Sequence, residues 1–169
     1  MKNRSFQKPF LLKNRQVQFY KDNGYLHIAN VFTKDDIDII KKDMDDFAKG
    51  HFTSKLDAHF YKNIKRLHRG KRLCDIGDSV LGDRAIPIGS YLTYFKPKNP
   101  LELGSTWHQD NYAGKTPNGN NYINIAVAID NADKSNGALK VVPGSHKLGE
   151  LKCNPKINFK SDKNGRLVQ

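Results

Sequence analysis

The chain of 169 residues has only two cysteines, one tryptophan and two glutamates, Glu102 and Glu150. Cys74 and Cys153 are too far apart to form a Cys-x-x-Cys motif, and two lone cysteines are typical of reduced thiols in a cytoplasmic protein. No run approaches the ~18 apolar residues of a membrane helix, and the N-terminus lacks the apolar core of a secretion signal. We therefore expect a cytoplasmic protein with no membrane contact.

The scarcity of glutamate leaves a strong excess of positive charge. The chain carries 29 Lys and Arg against 17 acidic residues, which gives a net charge of +12. Such a charge is typical either of a basic face that attracts nucleic acid and other anions, or of basic residues spread over a solvated surface. We favour the second interpretation and expect no nucleic-acid partner, because no segment combines clustered arginine with exposed aromatic residues. The length predicts a single domain, 1–169.

The first part of the domain, 14–85, is predicted to be mainly helical and to follow a basic arm. Residues 1–13 carry four basic residues around a proline, and we expect this arm to pack loosely on the domain. Residues 14–23 predict a short helix that Gly24 ends, and residues 25–28 predict a short strand.

A longer helix is predicted to begin at Thr33 and to end at Gly50. Thr33 supplies a hydroxyl N-cap ahead of acidic residues, which suit the positive end of the helix dipole. Apolar residues follow at helical spacing on one stripe: Ile37, Ile40, Met44 and Phe47. Three acids fall on the polar side of the same helix, where we expect solvent rather than a metal ion: Asp43, Asp45 and Asp46.

Residues 55–81 predict one or two further helices, and basic side chains crowd this region. The basic residues are Lys62, Lys65, Arg66, Arg69, Lys71 and Arg72. They indicate either contact with an anionic substrate, such as a CoA thioester or a phosphate, or a solvated basic face, which we favour. We expect the histidines of this region, His51, His59 and His68, to bind no metal, because no carboxylate stands at ligand spacing on a shared face.

Residues 86–148 predict strands and turns. Residues 86–96 are rich in β-forming residues. Branched apolar residues alternate with small or polar ones through 123–130, which predicts a strand with one buried face and one face that suits a cavity. Asn136-Gly137 indicates a tight turn, 138–142 a returning strand and 143–146 a sharp turn.

The strongest chemical pattern is the pair His108 and Asp110, between these predicted strands. The two residues are two positions apart, so on an extended segment both side chains leave the same face. An imidazole and a carboxylate on one face are two corners of the two-His-one-carboxylate triad that holds non-haem Fe(II). Chance alone gives roughly 0.5 such pairs in a chain of this composition, so the pair indicates a metal site only together with the residues around it.

That context resembles a known family. The pair, the polar loop after it, the alternating strand, Asn136-Gly137 and Pro143-Gly144-Ser145-His146 together resemble the phytanoyl-CoA dioxygenase-like family of Fe(II)- and 2-oxoglutarate-dependent oxygenases. Residues 19–28, ahead of the acidic-capped helix, resemble the start of the same family. The resemblance covers 19–148 and implies an α+β fold: a double-stranded β-helix core, which is a cupin-like jelly roll, with N-terminal helices packed on it.

The resemblance also implies cofactors and site residues. Fe(II), 2-oxoglutarate and O2 would convert a small-molecule substrate to its hydroxylated product, with succinate and CO2. His108 and Asp110 would bind the metal, and Gln109 and Tyr91 would contact 2-oxoglutarate. Further candidates for contacts with the substrate or with the metal ligands are Trp107, Asn111, Tyr112 and His146. Ala126 departs from the family, because some members carry a bulky aromatic residue there beside the co-substrate.

The family takes a second histidine and a 2-oxoglutarate-binding arginine from a strand downstream of His146. Residues 147–169 contain no histidine and one arginine, Arg166. We count about four strands where a double-stranded β-helix needs about eight. We therefore expect an incomplete core, a chain truncated at its C-terminus and a basic loop or tail over 149–169. In the family the histidine of the 143–146 turn is not the second ligand, although here it could reach the metal after one hairpin.

Three hypotheses follow. The first is a dioxygenase that hydroxylates a small organic molecule or an acyl thioester. The second is a non-catalytic metal-binding or interaction protein built on part of the fold, which the absence of a third ligand favours. The third is an oxygenase directed at nucleic acid, which only the charge of +12 suggests.

Overall fold

The structure is a computed structural model, and it describes residues 5–50, 61–88, 107–110, 122–134, 136, 138–149, 151, 160–161 and 167–168. Its helices are α1 (Asn14–Asn23), α2 (Lys34–Gly50), α3 (Lys62–His68) and α4 (Lys71–Leu81). Single 3-10 turns span Ser5–Gln7 and Ser145–Leu148, and two short strands, β1 (Lys160–Ser161) and β2 (Leu167–Val168), pair antiparallel. Within these residues no helix has the length and apolar character that a membrane span needs.

Helix α1 has the predicted boundaries. It begins where the Gln16 side chain accepts the Lys13 N–H at 2.9 Å, and it ends at Gly24, whose φ of 78° is left-handed. The Gly24 N–H donates to the Tyr20 carbonyl at 2.7 Å. The prediction of a strand over 25–28 is wrong, because this segment has irregular backbone, and Tyr25 packs edge-on against Phe19 with ring centroids 5.5 Å apart.

Helix α2 confirms the prediction of a Thr33 cap and an amphipathic stripe. The Asp36 N–H donates to the Thr33 hydroxyl at 3.3 Å, which satisfies one of the free N–H groups of the first turn. Ile40 is 2% exposed and Met44 packs against the core cluster. The side chain of Phe47 lies outside the described residues. The part of the apolar stripe of α2 that the structure describes therefore faces the core.

The core lies where α2, α3 and the N-terminal segment meet. Its buried members are Phe6, Ile40, Ile64 and Leu67. Gly70 separates α3 from α4, and a Cβ there would lie 2.5 Å from the Phe6 carbonyl oxygen. Glycine is needed at this corner because the N-terminal backbone crosses it so closely.

The prediction that the N-terminal arm packs loosely is wrong for residues 5–10. Phe6 is 0% exposed and forms part of the core. Asp36 accepts hydrogen bonds from both the N–H and the hydroxyl of Ser5, and Asp75 accepts the Phe10 N–H at 3.0 Å. Two helices thus hold this segment by buried carboxylates, an arrangement that satisfies its backbone donors.

Two basic residues of α3 and α4, Arg66 and Arg72, contact the N-terminal part of the chain, so the prediction of a solvated basic face is wrong for these two. The Arg66 guanidinium lies 5.7 Å from the centroid of the Phe6 ring, and Arg72 lies 5.2 Å from that of Phe10. Arg72 also donates to the Val31 carbonyl. These cation–π contacts cover the N-terminal segment rather than face solvent.

Asp43 also differs from its predicted role on a solvated helix face. Its carboxylate accepts the backbone N–H and the side-chain amide of Asn63, both at 3.0 Å. Asn63 lies in the first turn of α3, so Asp43 joins α2 to the N-terminus of α3.

The predicted strands 123–130 and 138–142 form no β-ladder among the described residues. The alternation of burial is partly present: Val127 and Ile129 pack against the core cluster, whereas Ile125 is 40% exposed. Of the predicted strand 86–96, residues 86–88 are irregular and exposed, and the rest lies outside the described residues. A strand needs a partner for its backbone groups, and the described segments offer these residues none. The described part therefore does not display the expected jelly roll.

The turn at 143–146 is as predicted, whereas Gly137 of the predicted Asn136-Gly137 turn lies outside the described residues. The Ala138 N–H donates to the Asp133 carbonyl at 3.0 Å, and Gly144 has a left-handed φ of 78°. The tail contains the β1–β2 ladder, in which Lys160 pairs with Val168, where the sequence predicts only a loop.

Candidate metal centre

The structure brings the side chains of His108 and Asp110 together. His108 Nε2 and Asp110 Oδ1 are 3.3 Å apart, and the side chains are 56% and 48% exposed. Metal bonds of about 2.1 Å at right angles place two neighbouring ligand atoms about 3.0 Å apart. The pair therefore fits two adjacent positions of an octahedral ion, which agrees with the predicted shared face.

The second oxygen of Asp110 accepts a hydrogen bond that the sequence does not reveal. The Asn124 side-chain amide donates to Asp110 Oδ2, and the Tyr122 hydroxyl donates to Asn124 Oδ1 at 2.7 Å. Asn124 belongs to the polar face of the alternating segment. That alternation predicts a face suited to a cavity, but not the contact with Asp110, which precedes Asn124 by fourteen residues.

Gln109 lies between the two candidate ligands, and both ends of its side-chain amide are used by the backbone. Its Nε2 donates to the Gly149 carbonyl at 2.9 Å, and its Oε1 accepts the Leu151 N–H at 2.8 Å. These contacts tie the 107–110 segment to the chain after the 143–146 turn. The contact with 2-oxoglutarate that the resemblance implies for Gln109 remains a prediction.

His146 lies against the end of α1. Its Nε2 is 2.9 Å from the Lys21 carbonyl oxygen, and the Gly144 N–H donates to the Asn23 carbonyl at 2.8 Å. A carbonyl only accepts, so Nε2 carries the proton, and the remaining nitrogen, Nδ1, lies against Gly24. His146 therefore satisfies a free carbonyl of the last helical turn.

The described residues contain no group of three or more His, Cys, Asp or Glu side chains that could hold a metal ion. His146 thus does not complete a triad with His108 and Asp110 there. Trp107, next to His108, is 38% exposed. Tyr91, Asn111 and Tyr112 lie outside the described residues.

A surface cleft of about 390 Å³ lies elsewhere, lined by Leu12, Asn14, Val17, Gln18, Lys21 and Ser79. None of the candidate metal or cofactor ligands lines it. The chemistry of the His108–Asp110 pair, rather than this cleft, therefore locates the candidate site.

Comparison with known proteins identifies the family of the chain. The family model "Phytanoyl-CoA dioxygenase (PhyH)" matches residues 20–165. A "Probable alpha-ketoglutarate-dependent hypophosphite dioxygenase" from Stutzerimonas stutzeri is 26% identical over 155 residues, which cover 78% of this chain and 53% of that protein. The chain thus spans about half the length of this curated relative. No solved structure matches. Because the family model covers most of the sequence, the chain belongs to the phytanoyl-CoA dioxygenase family.

Proposed function

We propose that this chain acts as an Fe(II)- and 2-oxoglutarate-dependent dioxygenase that hydroxylates a small organic molecule or an acyl thioester. The observation that carries the proposal is the 3.3 Å separation of His108 Nε2 and Asp110 Oδ1, in a chain that the family model matches over 20–165. The α-ketoglutarate-dependent relative supports the choice of co-substrate.

The bound metal, 2-oxoglutarate and O2 supply the oxidative chemistry, and the chain supplies the positions. His108 offers a neutral nitrogen and Asp110 a negative oxygen on one side of the ion. In the family the third ligand is a histidine from downstream of residue 146, and residues 147–169 of this chain contain no histidine. Tyr91 and Gln109 are proposed for 2-oxoglutarate, and Trp107, Asn111 and Tyr112 are proposed for contacts with the substrate. The family's jelly-roll core is likewise part of the proposal.

The charge of the chain and the substrate of the relative both favour an anionic substrate. An acyl-CoA thioester is anionic, and so is hypophosphite, which the name of the relative gives as that protein's substrate. A net charge of +12 raises the local concentration of such ligands by long-range attraction. Arg66 and Arg72 are engaged with the N-terminal segment, so other basic residues would have to contact the anion.

The alternative is a non-catalytic metal-binding or interaction protein built on part of the fold. The observation that favours it is the pair itself, because the described residues provide two candidate ligands and no group of three. Under this alternative the chain binds a metal ion weakly, and 2-oxoglutarate neither coordinates the ion nor is consumed.

An anaerobic titration with Fe(II) in the presence of 2-oxoglutarate separates the two. We expect a visible charge-transfer band in the wild type, and its loss in His108→Ala and in Asp110→Ala. His146→Ala is the matched control, because His146 contacts the end of α1, and we expect it to keep the band. A folded wild-type chain that gives no band, and that releases no succinate in air, would favour the non-catalytic alternative.

A further inference from the structure

We propose that Asn124, oriented by Tyr122, is a positioning residue that fixes the Asp110 carboxylate for metal binding. This inference rests on the proposed function, since it concerns the same candidate metal ligand. It adds two residues that neither the motif nor the family resemblance singles out.

The direction of each hydrogen bond follows from the groups involved. An ionised carboxylate only accepts, so the end of the Asn124 amide that meets Asp110 Oδ2 is its NH2 group. The carbonyl end of the same amide then faces the Tyr122 hydroxyl, which donates to it across 2.7 Å. A flipped amide would place two acceptors together at Asp110, so Asp110 selects the orientation of Asn124, and the Tyr122 hydroxyl, which can donate or accept, holds that orientation by donating to the carbonyl end.

The contact leaves the two oxygens of Asp110 with different roles. Oδ2 is held by Asn124, while Oδ1 faces His108 Nε2 at 3.3 Å. The terminal torsion of an aspartate is broad, so a carboxylate without a fixed partner turns easily. Asn124 removes this freedom and presents one oxygen on the side where the imidazole lies. Such partners of metal ligands commonly decide the metal affinity.

Asn124 can act in this way because its segment is anchored. Tyr122 and Asn124 are two positions apart and meet each other directly, and Val127 and Ile129 of the same segment pack against the core cluster. Asp130 forms an ion pair with Lys41 of α2 at 2.8 Å. The backbone that carries the Asn124 side chain is therefore anchored to the core cluster and to α2.

The first test compares Mn(II) affinity, followed by the EPR signal of the free ion, in wild type, Asn124→Leu and Tyr122→Phe. Mn(II) suits a site of nitrogen and oxygen ligands and does not react with O2 under these conditions. We expect Asn124→Leu to weaken binding about 10- to 100-fold, and Tyr122→Phe to weaken it less, because only the orientation of the amide is loosened.

Gln18→Leu is the matched control. The Gln18 amide also donates to an exposed carboxylate, that of Asp22, at 3.1 Å, but on α1 and away from the metal pair. We expect it to leave the Mn(II) affinity unchanged. We also expect the metal-free thermal midpoint of Asn124→Leu to match that of Gln18→Leu, which a merely structural role for Asn124 would not produce.

A second readout needs no metal. The side-chain NH2 signals of Asn124, assigned by their loss in Asn124→Leu, should shift in the NMR spectrum of Asp110→Ala and stay in place in Asp22→Ala. Unshifted signals, or equal Mn(II) affinity in wild type and Asn124→Leu, would overturn this inference and leave the proposed function intact. A wild-type chain that binds no Mn(II) and no Fe(II) would overturn both.

Discussion

At the scale of single residues, buried carboxylates hold the N-terminal segment on the helices. Asp36 is 2% exposed and Asp75 is 6% exposed, and each accepts a backbone N–H from residues 5–10. Burial raises the pKa of Asp75, but the hydrogen bonds from the Lys71 ammonium and the Phe10 N–H outweigh it, so that this pKa lies below its ordinary value. The ionised form of Asp75 is therefore the one that stabilises the fold.

We predict that Asp75→Ala lowers the free energy of unfolding at neutral pH by about 1–3 kcal/mol, because the Phe10 N–H loses its acceptor. Because the native pKa of Asp75 is lowered, its stabilisation is present above the ordinary aspartate pKa of about 3.9 and is lost as the pH falls through the native value. Urea unfolding across the acid range measures this, and the variant should lose less stability there than wild type.

Asp38→Ala is the control for this prediction. Asp38 pairs with Lys34 at 2.7 Å with the same i,i+4 spacing as Asp75 and Lys71, but the Lys34 and Asp38 side chains are 85% and 54% exposed. An exposed pair of this kind contributes little, so we expect almost no change. An equal loss in both variants would contradict the role given to the Phe10 N–H.

The limits of sequence-based prediction are also clearest from particular residues. Gly24 and Thr33 determine helix ends through contacts within four residues, so the boundaries of α1 and the start of α2 follow from local pattern. Phe6 could not be placed in this way, because its neighbours Ile64 and Leu67 lie 58 and 61 residues further along the chain. Asn124 likewise meets Asp110, which lies fourteen residues earlier in the chain, and an alternating pattern predicts the face but not the partner.

At the scale of secondary-structure elements, two helices end in the same way in different surroundings. Helix α1 ends at Gly24 with φ 78°, and α4 ends at Gly82 with φ 71°. A Cβ on Gly82 would meet no atom of the described residues within 4 Å, whereas a Cβ on Gly24 would overlap the His146 ring. The turn at 143–146 is therefore packed on α1 so closely that it excludes a side chain at the helix end.

We predict that Gly24→Ala is more destabilising than Gly82→Ala. Both place alanine in the left-handed region, at about 1–2 kcal/mol. Only Gly24→Ala also displaces His146 from the Lys21 carbonyl, a loss of about 0.5–1.5 kcal/mol more. Thermal unfolding of both variants and of the double variant Gly24→Ala/His146→Ala measures the coupling.

In the His146→Ala background the cost of Gly24→Ala should fall toward that of Gly82→Ala, because the ring is removed and only the Cβ of residue 146, 3.1 Å from the added Cβ, remains. If the cost of Gly24→Ala is the same in both backgrounds, the ring does not limit the helix end. The comparison also tests the role of His146 independently of metal, since neither glycine belongs to the candidate metal centre.

At the scale of the whole molecule, the 107–110 segment is connected both to the core cluster and to the end of α1. Asp110 is joined through Asn124 to the segment whose Val127 and Ile129 pack on the core. Gln109 is joined to Gly149 and Leu151, and the turn before them caps α1. A metal ion that binds His108 and Asp110 is therefore linked to segments far apart in sequence. Its binding should raise the free energy of unfolding of all the described residues together.

We predict that Mn(II) at a hundred times its Kd raises the free energy of unfolding of the wild type by about 2.7 kcal/mol, because it binds only the folded chain. Thermal unfolding with and without Mn(II) measures the effect. It should vanish in His108→Ala and in Asp110→Ala and persist in His27→Ala, which removes an exposed histidine from the irregular segment after α1. Equal stabilisation in His108→Ala would place the bound ion elsewhere and contradict the assignment of the pair. Stabilisation that is lost only in the two ligand variants would tie metal binding at this pair to the stability of the entire chain.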